Sequence, residues 1–209
     1  MTDSRSMSQI QEYLDNHFVN ENFATKEFPS VSFENCVFER CDFSYTVFVD
    51  CTFVNCVFRN CNMLLVKIPN TNFNEVAFEN CDMIGVDWTV ARWFRSSKRT
   101  KQNFPITFRS SRLNNSIFIG LDLTNILFDD CIIKETFFED ASMENAVFGK
   151  CDLDGAVFNN TYLRGADFSS ARNYTIDIRQ NNISRAKFSL PEAMSLIYSL
   201  DIELLDSED

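Results

Sequence analysis

A single histidine, His17, and only five glycines occur in this 209-residue chain. Scarce glycine without a collagen period sets aside both triple-helical and low-complexity disordered chains. The lone His17 has no obvious partner in the sequence and is read as structural rather than catalytic. There is no G-x-x-x-x-G-K-[ST] loop and no metal motif, so no catalytic constellation and no cofactor site is read. No run of about 18 apolar residues exists, so no membrane span is expected. The opening MTDSRSMSQIQEYLDN is polar and lacks an apolar h-region, which gives no secretory signal and makes the cytoplasm the expected location. Positive charge is also short, with 19 Lys and Arg against 30 Asp and Glu, a net charge of −11. That balance argues against direct nucleic-acid binding, which needs cations on phosphates. It fits a soluble protein, or one that offers negative charge to a basic partner.

What is abundant is phenylalanine, with 22 residues. Phe28, Phe33, Phe38, Phe43, Phe48, Phe53 and Phe58 recur every five residues without a slip. Five is neither the helical nor the strand period. A fixed short repeat points instead to a solenoid, in which each unit buries its apolar residue by stacking on its neighbours. The beat starts at Phe18 and runs on through Met63, Ile68, Phe73, Phe78, Met83, Trp88 and Trp93. After a gap it resumes at Phe108 and passes through Phe128, Phe148, Phe158 and Phe168, with weaker units at Asn173, Ile178, Ile183 and Phe188.

A second fixed position lies two residues before each central one. All eight cysteines occupy it: Cys36, Cys41, Cys51, Cys56, Cys61, Cys81, Cys131 and Cys151. Elsewhere Ala, Thr, Val and Ser fill the same slot, so the slot selects a small side chain. Zinc needs four converging ligands, and histidine is nearly absent. The cysteines are therefore assigned to core packing as small buried hydrophobes with free thiols.

Units such as CDFSY, CTFVN, CDLDG, AVFNN and ADFSS resemble the pentapeptide-repeat family and its A(D/N)LXX pattern, over roughly residues 18–93 and 108–188. The resemblance implies an all-β solenoid, a right-handed quadrilateral parallel β-helix with four pentapeptides per coil. The central residue and the one two before it then point inward. Residue n would stack under n+20 at the β spacing, giving about eight coils and a rod of about 40 Å. Phe38, Phe58 and Phe78 would form one ladder, with Phe43, Phe48, Phe53 and Phe73 in the others.

Residues 94–107 break the beat. Continuing it would put Lys98 and Asn103 at central positions, and burying them unpaired among phenylalanines would cost several kcal/mol. The chain is expected to leave the coil here as a projecting loop. Residues 92–112 carry seven basic side chains and no acidic one. Either this is a solvated loop, or Arg92, Arg95, Lys98, Arg99, Lys101 and Phe104 form a partner contact beside Trp88 and Trp93, as long loops on rigid scaffolds often do.

Outside the coils, residues 1–17 are expected to cap the first coil with a short helix carrying Ile10, Tyr13 and Leu14. Residues 189–209 leave the repeat: Pro191 suits a helix first turn, Ala193, Met194, Ile197 and Leu200 share a face, and an extended DIELL follows. In the quinolone-resistance type of pentapeptide-repeat protein a C-terminal helix and strand join two rods, so the resemblance implies a homodimer through 189–209. Among outward positions, Val37, Val57, Ala77, Ile117, Phe137 and Val157 are expected to stack as one apolar column, and the outer acids to be scattered.

The resemblance extends to quinolone-resistance, albicidin-resistance and microcin-immunity members, and in length and layout to oxetanocin A resistance proteins. It implies a non-enzymatic antibiotic-resistance factor whose acidic rod imitates DNA and occupies a type II topoisomerase such as DNA gyrase. The alternative is a protein-interaction scaffold with a different partner.

Overall fold

The computed structural model describes residues 11–93, 106–200 and 202. Its strands, in chain order, are β1 (Gln11–Leu14), β2 (His17–Val19), β3 (Glu27–Pro29), β4 (Val31–Glu34), β5 (Val37–Glu39), β6 (Val47–Val49), β7 (Thr52–Val54), β8 (Val57–Arg59), β9 (Asn72–Asn74), β10 (Val76–Glu79), β11 (Ile106–Arg109), β12 (Leu127–Asp129) and β13 (Val147–Gly149). One short helix follows, α1 (Met194–Tyr198). The pairings between strands are parallel. The fold is a parallel β-solenoid with four faces and almost no helix.

The first face holds the sheet β1-β4-β7-β9 and the second the sheet β2-β5-β8-β10-β11-β12-β13. Single bridges such as Asp42↔Asn62↔Asp82 carry the third face. The fourth holds β3-β6 and, further up, Asp87↔Ile117↔Phe137↔Val157. Each pentapeptide supplies one short face and one corner. The corner is made by the residue two after each central position, which sits at positive φ: Asn20 (56°), Asn35 (53°), Asn55 (50°) and Asn80 (55°) are examples. L-residues pay for this conformation, with Asn, Asp and Gly paying least, and those types dominate the corners.

The core is a set of ring ladders. On the second face Phe38 stacks on Phe58 at 4.6 Å between ring centroids and Phe58 on Phe78 at 5.0 Å. The same ladder continues through Phe108, Phe128, Phe148, Phe168 and Phe188. Rings on neighbouring faces meet edge to face, as Phe33 and Phe38 do at 74°, and rings on opposite faces do so too, as Phe128 and Phe138 do at 71°. Both geometries suit the aromatic quadrupole and add about 0.5–1.5 kcal/mol per pair beyond area burial. The phenylalanines and cysteines named above as core, from Cys36 to Phe168, are all buried.

Four sequence expectations require correction. Residues 11–14 are strand, not helix: Tyr13 stacks on Phe33 at 5.2 Å, so the beat begins one unit before Phe18. Their remaining partners in the expected cap, residues 1–10, lie outside the described residues. The chain has rejoined the coil by Ile106, because Ile106 and Thr107 belong to β11 and Ile106 is buried.

The second register is also different. Ala77 pairs with Thr107, not with a residue twenty positions on, and Asp87 pairs with Ile117. The insertion therefore adds ten residues to one coil. The expected apolar column is split: Val37, Val57 and Ala77 lead to Thr107, Leu127 and Val147, whereas Ile117, Phe137 and Val157 stand on another face. Last, the weak unit at Asn173 slips. Asn173 is exposed at φ 60°, and Tyr174 and Ile176 are buried in its place. At the C-terminal end α1 forms, but Leu196, outside the face read from the sequence, is the helix residue packed on the core.

Candidate protein-binding surface

The inward slot before each central residue has a requirement beyond size. Thr136 Oγ1 donates to the Leu113 carbonyl at 2.9 Å and Thr161 Oγ1 to the Phe138 carbonyl at 2.9 Å. Thiols make the same reach: Cys51 Sγ lies 3.1 Å from the Phe28 carbonyl and Cys56 Sγ 3.4 Å from that of Phe33. So Ser, Thr and Cys recur where an inward carbonyl of the coil beneath can take a side-chain donor, for Leu113 and Phe138 in addition to a backbone N–H at 3.2 Å, a pattern visible in the sequence as a hydroxyl or thiol set among alanines. All eight thiols are free and buried. Burial raises the thiol pKa of Cys41 and Cys51 and pushes that of Cys56 up to about 12. Thiolate is the reactive form, so burial makes these three thiols less reactive. No group of metal-binding side chains occurs among the described residues.

Function must therefore be sought on the outside. Of the residues assigned to the basic contact, Arg95, Lys98, Arg99, Lys101 and Phe104 lie outside the described residues. Arg92 is described. Its guanidinium donates to the Asn70 side chain and lies 3.6 Å from Asp50. Arg112 grips Asp82 through two nitrogens, and that hydrogen bond raises the arginine pKa. Both arginines are thus partly neutralised by acids of the coils beneath. The tryptophans flank the insertion at central positions of the repeat, as the beat implies. Trp88 is buried and stacks on Phe118 at 5.7 Å, while half-buried Trp93 donates its indole N–H to the Trp88 carbonyl at 2.7 Å. They seal the coil where the chain departs.

Two groups of acids stand apart from those simply held by cations, such as Glu79 by Arg59. Those just before a central residue do local work, because their carboxylates accept the backbone N–H two residues on. Asp42 takes Ser44, Asp87 takes Thr89 and Asp167 takes Ser169 at 2.9–3.0 Å. These Asx turns hold the corners. Several of them also meet cations, as Asp167 meets Lys187 at 3.1 Å. Asp152 is the most enclosed. Burial works to raise its pKa, yet the Asn173 hydrogen bond, the Asp154 N–H and Lys134 at 3.4 Å together hold it below the usual range.

The second group is free of ion pairs among the described residues. Asp129 and Asp130 lie at the second face and its corner, and Glu139 and Asp140 at the fourth face and its corner, on the opposite side of the same coil. Asn corners on the first coils form ladders of their own. Asn55 Nδ2 donates to Asn35 Oδ1 at 2.8 Å, and Asn35 to Asp15 at 3.1 Å.

Profiles for pentapeptide repeats match this sequence twice: "Pentapeptide repeat region" over residues 31–116 and "Pentapeptide repeats (8 copies)" over 141–172. With the solenoid geometry these matches place the chain in the pentapeptide-repeat family. No curated protein matches it in sequence. Among solved structures it is similar to full-length QnrB1, a plasmid-mediated fluoroquinolone resistance protein, at 21% identity with a TM-score of 0.42, over 91% of this chain and 100% of that one. It is also similar to HetL, a pentapeptide-repeat protein involved in heterocyst differentiation regulation from the cyanobacterium Nostoc. There the identity is 13% and the TM-score 0.45, over 86% of this chain and 85% of that one. No helix of the described residues is long and apolar enough to cross a membrane.

Proposed function

We propose that this protein is a non-catalytic, protein-binding rod that occupies the DNA-binding surface of a type II topoisomerase, DNA gyrase, in the cytoplasm, and so confers antibiotic resistance. The observation that carries this reading is the pair of unneutralised acidic sites, Asp129 with Asp130 and Glu139 with Asp140, on opposite sides of one coil of a rigid ladder. A net charge of −11 on such a rod draws it toward a surface built for phosphates. The insertion, with Arg92 at its root, supplies a second contact, and two rods join end to end through 189–209. A supercoiling assay with purified gyrase, with and without a gyrase-directed drug, tests this. Altered supercoiling or relief of drug inhibition is expected, and no effect at micromolar protein contradicts it.

A second reading is a scaffold for a protein other than a topoisomerase. It is favoured by the acids already held by cations, such as Glu79 by Arg59 at 2.8 Å and Asp82 by Arg112, which a phosphate-like surface would leave free. Charge reversal of Arg95, Lys98, Arg99 and Lys101 separates the loop's share: unchanged gyrase binding would remove the loop from the contact.

A further inference from the structure

The fourth face carries apolar residues outward on several coils, and its residues are ordered in a way that a single copy does not need. Reading up the face, Val47 and Val49 stand on one coil and Lys67 on the next. Asp87 follows on the coil above that, then Ile117 with Ile119. The coils of Lys67 and Asp87 are adjacent, tied at one corner by Leu65 N–H to the Ile84 carbonyl and at the other by Asn70 N–H to the Val90 carbonyl, at 2.9 and 2.8 Å. Neither Lys67 nor Asp87 takes part in an ion pair among the described residues.

This order, apolar, cation, anion, apolar, is self-complementary about the midpoint between Lys67 and Asp87: reversed, it sets each charge against its opposite. A two-fold axis lying in the face at that midpoint reverses the rod direction. It brings Lys67 of one copy onto Asp87 of the other, twice, and lays Val47 and Val49 on Ile117 and Ile119. A two-fold interface must be self-complementary in this sense.

A second feature of the same face points the same way. Tyr45 and Leu65 occupy corner positions at φ 59° and 52°, where this chain elsewhere favours Asn, Asp and Gly. Both are exposed, at 52% and 42%, and Leu65 lies across Gly85, where a Cβ would come within 2.6 Å of it. Together they border a shallow hollow of about 470 Å³ that Lys67, Asp87 and Val90 also line. Bulky apolar side chains held in a strained backbone and left facing water are characteristic of contact sites.

We propose that the fourth face is a lateral self-association surface, on which a second copy of this chain packs antiparallel, side by side, with reciprocal Lys67–Asp87 pairs. It is separate from the end-to-end joint at 189–209 and from any topoisomerase contact.

The test is sedimentation equilibrium of the full chain over a wide concentration range, on wild type, Lys67→Asp, Asp87→Lys and the double reversal. Wild type is expected to double in mass as concentration rises. Each single reversal sets like charges face to face and weakens association by about tenfold or more. The double reversal restores it. Ile119→Glu, which does not touch the Asx turn of Asp87, is expected to weaken lateral association while leaving the end-to-end joint intact. A wild-type mass that never rises overturns the inference. So does association that neither the single reversals nor Ile119→Glu weakens, because the contact then lies elsewhere.

Discussion

Phe78 stacks on Phe108 at 5.4 Å and 12°, within the 6–20° range of the rungs below it, although thirty residues rather than twenty separate the two. The ladder thus closes over the insertion as if it were absent. The beat of five is kept locally while the turn of twenty is lengthened once.

Ten residues are therefore surplus to the coil. Deleting residues 95–104 would join Phe94 to Pro105 and set Trp93 and Phe108 five apart, restoring the common turn. The deletion is expected to leave circular dichroism unchanged and to move Tm by no more than a few degrees. Loss of cooperative melting would mean that the insertion helps build the rod.

Corner conformation predicts two opposite outcomes. Gly165 sits at φ +68°, and a Cβ there would meet Asn145 Oδ1 at 2.5 Å. Gly165→Ala is expected to cost about 1 kcal/mol or more by urea denaturation. Thr25, β-branched at φ 61°, is the reverse case. Thr25→Gly is expected to be neutral or stabilising by up to about 1 kcal/mol, as relief of strain offsets the added freedom of the unfolded chain.

The inward slot predicts that polarity matters at constant shape. Thr161→Val keeps the volume but removes the 2.9 Å hydroxyl donor from the Phe138 carbonyl, leaving it only the Ala141 N–H at 3.2 Å. A loss of about 1 kcal/mol is expected, measurable in the same urea series. Equal stability of Thr161→Val and wild type would return the slot to a pure size filter.

Alkaline pH should loosen the fold through the thiols. Burial raises Cys41 and Cys51 and brings Cys56 to about 12, against 9.0 ordinarily. Above pH 9 the unfolded chain has lost these protons while the native state keeps them. The unfolded state then binds fewer protons, so stability is complete below about pH 9 and falls as pH rises toward 12. The urea midpoint is expected to drop across that window, and less steeply in Cys56→Ala. Thiol titration should find eight groups in denaturant and a slow reaction in the native protein. An equal slope in Cys56→Ala and wild type would contradict the assignment.

Most of this architecture is legible in the residues because one period governs it. Phe, Met, Ile and Trp recur wherever the ladder needs a large group, and Cys, Ala, Thr and Ser wherever it needs a small one. Two further signals were present and unused. The Asn, Asp and Gly two places after each centre mark the left-handed corners, as at Asn55, Asp50 and Gly85. The hydroxyls of Thr136 and Thr161 mark inward carbonyls that accept a side-chain donor besides a backbone N–H.

Other features were hidden for physical reasons. Tyr13 reads as part of a helix because β1 supplies only a single central residue, too few to set a beat. The shift of Ala77 onto Thr107 is invisible because fifteen residues between Trp93 and Phe108 preserve the period of five while changing which face follows which. Surface chemistry was less legible still: the acids of Asp42, Asp87 and Asp167 read as a field, but the structure engages each of them in a corner.

The closing of the ladder over the insertion is tested most directly by a double-mutant cycle on Phe78→Leu and Phe108→Leu, with stabilities from urea denaturation. Direct ring stacking predicts a coupling of about 0.5–1.5 kcal/mol. Strict additivity, within about 0.3 kcal/mol, would mean that these rings do not touch and that the coil is not continuous there.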